Sequence, residues 1–334
     1  MSFPAPVSFP TRLARFVAAR RIAPGGAAGL LADARTILVV KLDALGDFVL
    51  ATPFLRALRR AAPRARITLL TRRLAAGLAE NCPHVDAVHV LELDETPRRF
   101  GALRRVNAIA RFFRTTLGGA RFDWAFIPRT GPDHHQARLV ARLSGAPRRL
   151  GFATPPADAI AGPAALTTEI AYPAAPLNEA EANLLLLRTA GASVEAAGPL
   201  ELHCPPAEED ALRQRLAAAG IAAEAPLLAL GVGASLPHKL WPAGHFLLLA
   251  REWRARHGGP VVLLGDRQDA ARFPGDEPGL VNLAGELSPA QSGALLRRAR
   301  LFVGNDSGAV HLAAAAGCPV VVVHWDREDS PPWT

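Results

Sequence analysis

The chain has 334 residues, half of them hydrophobic and a fifth charged, enough to bury two cores rather than one. Its formal charge of +8 is unevenly spread: residues 1–150 hold 25 Lys and Arg against 10 Asp and Glu, a balance of +15, while residues 151–334 hold 13 against 20, a balance of −7. No uninterrupted apolar run reaches the roughly 18 residues of a membrane span, and the Arg-bearing start lacks the compact apolar stretch of a secretory signal. Cys82, Cys204 and Cys318 are too few and too far apart for a disulfide framework or a metal site, and suit a reducing cytoplasm. The basic first half fits an anionic partner such as a phosphorylated lipid or an anionic membrane surface. With 6% aromatic residues and no nucleic-acid-binding motif, nucleic acid is not an expected partner.

Residues 1–35, with Pro24-Gly25-Gly26 in their middle, precede the first strand and are expected as a peripheral extension. Apolar runs at Ile37–Val40, Ile67–Leu70, Ala87–Val90 and Trp124–Ile127 predict buried strands of a first domain over 36–200, interleaved with amphipathic stretches such as Pro53–Ala62. Asn178–Ala190 is a predicted helix, and the Pro-containing Gly198–Glu209, around Cys204-Pro205-Pro206, a predicted linker. The alternation then restarts. Leu227–Leu230, Val261–Leu264, Leu301–Val303 and Val320–Val323 are predicted buried strands, and His245–Arg256, Pro289–Arg298 and Val310–Ala316 predicted helices, of a second domain over 207–334. Alternating strands and helices imply parallel sheets covered on both faces. The expected fold is therefore α/β, with two Rossmann-like domains facing each other across a cleft.

Ligands of open α/β sheets bind beyond the carboxyl ends of the strands, and three such loops carry polar chemistry. Of 38 basic residues 36 are arginine, and the only lysines, Lys41 and Lys239, both follow a predicted strand. A lysine ammonium is a compact charge on a flexible stem, suited to a phosphate. The first loop, Lys41–Asp47, leads to a helix start with Thr52 as N-cap and Pro53 in the first turn. Gly46 would permit a tight turn that holds Asp47 outward, where its carboxylate can take a proton from a hydroxyl nucleophile or merely close the turn. The second, Gly231–Lys239, sets amides, the Ser235 hydroxyl and the Lys239 ammonium where they can line a phosphate, without the residue order of a P-loop. In the third, Gly304–His311, Asn305, Asp306 or Ser307 can cap a helix. Gly308 then gives access to its amino end, whose free amides and dipole suit a pyrophosphate. His311 falls in the first turns of that helix, facing a ligand or packed structurally. Arg129, His134 and His135 lie in the loop after Trp124–Ile127.

Taken in order, these segments resemble glycosyltransferase family 9, the ADP-heptose:lipopolysaccharide heptosyltransferases. The resemblance runs over roughly residues 36–330. It is carried by Ile37–Pro53, by Asp123-Trp124-Ala125-Phe126-Ile127, Ala137–Ala146 and Arg149-Leu150-Gly151-Phe152, and by Gly233-Ala234-Ser235, Lys239-Leu240-Trp241-Pro242, Asn282-Leu283-Ala284-Gly285 and Gly304–Gly317. It implies a GT-B fold, with an acceptor domain followed by a nucleotide-sugar domain. It further implies that Asp47 is the base of an inverting sugar transfer, and that Ser235, Lys239, Asp306, Ser307, Gly308 and His311 hold the donor. Lys41, Arg129 and His134 are then the expected contacts to an anionic, lipid-linked glycan acceptor at the inner membrane surface. No cofactor or metal is implied, because lysine and helix dipole hold the leaving nucleoside diphosphate.

Two departures stand out. Asp43 or Ala44 occupies a place where many members carry serine, and Ser330–Thr334 falls about where members continue into a C-terminal segment that packs back on the first domain. A nonhydrolysing sugar-nucleotide epimerase shares the architecture but would bring further acid–base carboxylates or histidines to the donor half, and a truncated, non-catalytic nucleotide-binding protein is the other alternative. A dinucleotide dehydrogenase is disfavoured, since neither glycine-bearing loop reads Gly-x-Gly-x-x-Gly.

Overall fold

The computed structural model describes residues 30–93, 101–153, 165–172, 177–273 and 277–324. After a single 3-10 turn at Leu31–Asp33 the chain forms β1 (Thr36–Lys41), α1 (Leu45–Leu50), α2 (Thr52–Ala61), β2 (Arg66–Thr71), α3 (Arg73–Ala79) and β3 (Ala87–Val90). It continues through α4 (Gly101–Thr115), β4 (Trp124–Phe126), α5 (Ala137–Leu143), β5 (Arg148–Phe152), β6 (Thr168–Ile170) and α6 (Glu179–Thr189). The second series is α7 (Pro206–Ala218), β7 (Leu227–Gly231), α8 (Ala243–His257), β8 (Val261–Leu264), α9 (Arg267–Ala270) and β9 (Leu280–Asn282). It ends with α10 (Pro289–Arg298), β10 (Ala299–Asn305), α11 (Gly308–Ala315) and β11 (Val320–Val323). Among the described residues no helix is long and apolar enough to cross a membrane.

Two parallel sheets result, ordered β3-β2-β1-β4-β5-β6 and β11-β10-β7-β8-β9. Each winds outward from its first strand in both directions, as doubly wound α/β sheets do. A parallel sheet is covered on both faces, so its central strands read as unbroken aliphatic runs; Ile37-Leu38-Val39-Val40 and Leu228-Ala229-Leu230 are fully buried. That same rule hides the strands the hydrophobic pattern misses. β6 and β9 are three-residue edge strands, and β5 opens on two arginines. Arg148 lies over the Trp124 ring, 4.4 Å from its centroid, and Arg149 Nε donates to the Ala165 carbonyl at 2.7 Å, so both cations are accommodated without an apolar signature.

The chain divides into two compact units. The first comprises residues 1–43 and 51–198, the second residues 44–50 and 199–334. Of the extension expected over 1–35, residues 1–29 lie outside the described residues, as does the 325–334 end; Leu31 and Ala34 are buried in the first unit. The linker expected around Cys204-Pro205-Pro206 is shorter than the sequence suggested. Pro206 already opens α7, with Glu208 and Glu209 in its first turn, where carboxylates favour the helix dipole.

Two local expectations change. Lys41–Asp47 is not loop throughout, because α1 begins at Leu45. The Asp47 carboxylate reaches back to accept the Ala44 N–H at 3.0 Å, and Phe48 N–H bonds the Ala44 carbonyl at 3.1 Å, which is half of a capping box. Thr52 is not a side-chain cap. α1 runs through Ala51, itself in the right-handed helical region and accepting the Leu55 N–H at 3.0 Å, straight into α2. Pro53 does sit in the first turn, as expected.

Candidate functional site

β7 and β10 are neighbours at the centre of the second sheet, where the strand order reverses. Loops leaving adjacent strands in opposite directions open a crevice at their carboxyl ends, the usual ligand position in such folds. The loop after β7 carries Ser235, which is exposed, and Lys239, which closes a 3-10 turn at Pro237–Lys239. After β10 come Asp306 and Ser307, and α11 begins at Gly308. Lys239 Nζ donates to Asp306 Oδ2 at 2.6 Å, with both side chains about three-quarters buried. Ser307 is the extended N-cap of α11, but its hydroxyl makes no capping bond. Lys239, Asp306, Ser307 and Gly308 are thus brought to one corner, at the positive end of an eight-residue helix.

Asn305 has a different task from the cap foreseen for it. It is wholly buried; Nδ2 donates to the Val232 carbonyl at 2.9 Å and the Gly233 carbonyl at 3.4 Å, and Oδ1 accepts the Trp241 N–H at 2.9 Å. One amide therefore laces both ends of the β7 loop to β10. Trp241 anchors the same end, edge-on to Phe246 at 4.8 Å and stacked on His245 at 5.2 Å. A second brace was not foreseen. Asp269 accepts the Asp266 N–H at 2.9 Å and pairs with Arg272 at 2.9 Å, and Arg272 also donates to the Val232 carbonyl. The Asp269 carboxylate fills the space beside two glycines: a methyl on Gly265 would lie 2.8 Å from Oδ2, and one on Gly233 would overlap it. The available signal was the polar run Gly265-Asp266-Arg267-Gln268-Asp269 directly after a buried strand, which folds as a capping box. The turn Asn282-Leu283-Ala284-Gly285 packs nearby, with Asn282 Nδ2 donating to the Ala270 carbonyl at 3.1 Å and Gly285 N–H to the Gly265 carbonyl at 2.9 Å.

Although early in the chain, Ala44–Leu50 groups with the second unit, and α1 packs on α11. A methyl on Gly46 would overlap the His311 imidazole, and one on Gly308 would lie 3.3 Å from the Gly46 amide nitrogen and 3.4 Å from Leu45 Cβ. Gly46 is therefore needed for close approach of two helices, not for the tight turn foreseen. His311 lies against α1, one residue from Asp47. Asp47 itself is partly exposed in the first turn of that helix.

In the first unit the corresponding switch lies between β1 and β4. Here Lys41 departs from expectation. Its side chain is 1% exposed, and Nζ donates to the Pro128 carbonyl at 2.8 Å and to Glu179 Oε1 at 3.0 Å, and lies 3.0 Å from Asp43 Oδ2. Arg129 pairs with the other Asp43 oxygen and donates Nε to the Pro132 carbonyl at 3.0 Å. A buried ammonium persists only when paired, so Lys41 is committed to this neutral group of two cations and two carboxylates rather than offered to an acceptor. Burial lowers the Arg129 pKa, while the charges of Glu179 and Asp133 pull it back up. His134 is exposed on the same loop, and His135 is 3.4 Å from Arg72 Nη1. Asp133 caps α5, accepting the Ala137 and Arg138 N–H groups at 2.8 Å each. Between them Gln136 sits in the left-handed region at φ 61°, a strained place for a non-glycine residue.

Comparison with known proteins agrees with this fold. Residues 113–329 match the sequence profile of "Glycosyltransferase family 9 (heptosyltransferase)". Lipopolysaccharide heptosyltransferase 2 of Salmonella typhimurium is 25% identical over 300 residues, 86% of this chain and 82% of the relative. Among solved structures, a family 9 glycosyl transferase from Veillonella parvula superposes with a TM-score of 0.72 at 22% identity, over 88% of this chain and 81% of that one. A heptosyltransferase of E. coli, solved with ADP-2-deoxy-2-fluoro heptose, gives 0.63 at 18% identity over 86% and 88%. The profile match spans well over half of the residues, and this chain belongs to glycosyltransferase family 9.

Proposed function

We propose that this family 9 glycosyltransferase moves heptose, with inversion, from ADP-heptose to a hydroxyl of a lipopolysaccharide-core or related anionic glycan acceptor at the cytoplasmic face of the inner membrane. The observation that carries the proposal is the corner formed by Lys239, Asp306, Ser307 and Gly308, with α1 packed against the same helix. The donor's pyrophosphate lies at the amino end of α11 and takes the Lys239 ammonium, which Asp306 keeps aimed into the corner. Ser235 adds a hydroxyl from the β7 loop, and His311 a ring beside the phosphates. As the anomeric bond breaks, negative charge grows on the departing diphosphate, where ammonium and helix dipole stabilise it. Asp47 removes the proton of the acceptor hydroxyl as it attacks the opposite face of the sugar, which inverts the anomeric centre. Arg129 and His134 face the acceptor; Lys41 acts at one remove, holding Asp43 and through it Arg129. The named activity of the Salmonella relative and the ADP-sugar in the E. coli structure support the choice of donor.

Asp47→Asn is the direct test. Turnover should fall by about 10²-fold or more, the usual loss for a general base, while calorimetry shows ADP bound as in the unaltered protein and more tightly than UDP or GDP. Turnover close to that of the unaltered protein would remove Asp47 from the base role, and equal affinity for the three diphosphates would remove adenine from the donor.

A further inference from the structure

One surface of the first unit takes no part in the chemistry above. On α4, Val106, Ile109 and Phe113 are buried in the core, with Phe113 edge-on to Phe122 at 6.5 Å. Arg104, Asn107, Arg111 and Arg114 project from the opposite side, all exposed, at the i, i+3, i+7, i+10 spacing of a single helical face. The stretch 101–121 holds five arginines and no Asp or Glu. None of Arg104, Arg111, Arg114 and Arg121 has an ion-pair partner among the described residues. Three exposed arginines of the second unit are arranged otherwise: Arg213 pairs with Asp210, Arg251 with Glu277 and Arg256 with Glu252.

An unrelieved arginine face is costly to a helix. Like charges three and four residues apart repel, and Arg104, at the end of the first turn, meets the positive end of the dipole with no acidic residue in that turn. The stripe runs about 15 Å along the helix, at the rise of 1.5 Å per residue. It lies on the flank of a crossover helix and not at the carboxyl ends of strands, where a small ligand or a reacting sugar would sit. Its aromatic neighbours turn inward, Phe113 to the core and Phe112 edge-on to His89 at 6.4 Å, so it offers no platform on which bases could stack. What fits is a broad, negatively charged plane.

We propose that the Arg104–Arg111–Arg114 face of α4 docks the protein on an anionic phospholipid surface. This bears on where the proposed transfer takes place but does not depend on the identity of donor or base. The experiment is co-sedimentation of the full chain with phosphatidylcholine vesicles and with vesicles containing phosphatidylglycerol. The protein should partition onto the anionic vesicles only, and release as salt is raised. Replacing Arg104, Arg111 and Arg114 together with glutamine should weaken partitioning on the order of 100-fold, and Arg111→Gln alone about 5-fold. A control with Arg213, Arg251 and Arg256 changed to glutamine should bind like the unaltered protein. ADP affinity, measured in parallel, should be unmoved in all variants; its loss would show damage to the second unit rather than to docking. Equal partitioning on neutral and anionic vesicles, equal loss in the control, or equally tight binding to a single-stranded RNA at the same salt would overturn the assignment.

Discussion

Lys41 shows how a residue's chemistry depends on what folding places around it. In the chain it is a rare lysine ending a strand; in the fold it is the centre of a buried charge group with Asp43, Glu179 and Arg129. Lys41→Met leaves two carboxylates short of a cation in a site closed to water. Breaking a buried pair in this way costs about 3–5 kcal/mol, so chemical denaturation should show a large loss of stability. A Lys41 that served only to contact an acceptor would instead leave the midpoint unchanged and raise the acceptor Michaelis constant. Gly46 is the complementary case. Gly46→Ala drives a methyl into the His311 ring and, as an overpacking change, should cost about 1–3 kcal/mol. In a His311→Ala background that cost should shrink, since the obstructing ring is gone. Equal costs in both backgrounds would mean that the two residues do not bear on each other.

Among elements, the β7 loop depends on residues far from it in sequence. Its backbone is fixed by Asn305 from β10 and by Asp269 and Arg272 from α9 and the turn after it. Asn305→Ala leaves the Trp241 N–H without its acceptor, at roughly 1–3 kcal/mol, and leaves the Val232 carbonyl to Arg272 alone. A lower denaturation midpoint should therefore come with weaker ADP binding, since Lys239 rides on the same loop. A lower midpoint with ADP affinity intact would show that the lacing steadies the sheet but not the loop. In a loop that looks glycine-rich for phosphate binding, Gly233 is small because the Asp269 carboxylate fills the space beside it.

Over the whole molecule, the sign of charge separates along the chain, +15 in the first 150 residues and −7 beyond. The buried group around Lys41 is neutral and adds nothing to this excess, to which the exposed arginines of α4 contribute. Exposed charges are screened beyond about 8 Å at physiological ionic strength. The acceptor Michaelis constant should accordingly rise with salt, while ADP affinity, which the proposed site assigns to close contacts with Lys239 and α11, should change less. A flat acceptor profile would reduce the charge split to composition.

The alternation of Val/Ile/Leu runs with amphipathic stretches was sufficient to determine two parallel α/β sheets, since central strands covered on both faces read that way; β11, read as buried on the same signal, instead exposes Val321 and Val322 at the sheet edge. The three polar loops, and the family they resemble, were legible because glycine, hydroxyl, carboxylate and lysine cluster directly after apolar strand runs. β5, β6 and β9 were not legible, because β6 and β9 are only three residues long and β5 opens on two arginines, which leaves no apolar run to read. Nor were the partners of each loop. Whether a lysine is buried or presented, whether Asn305 caps a helix or laces a loop, and whether Gly46 turns the chain or admits a histidine are set by side chains dozens to hundreds of residues away. Those distances are closed only by packing, and so only the tertiary structure decides them.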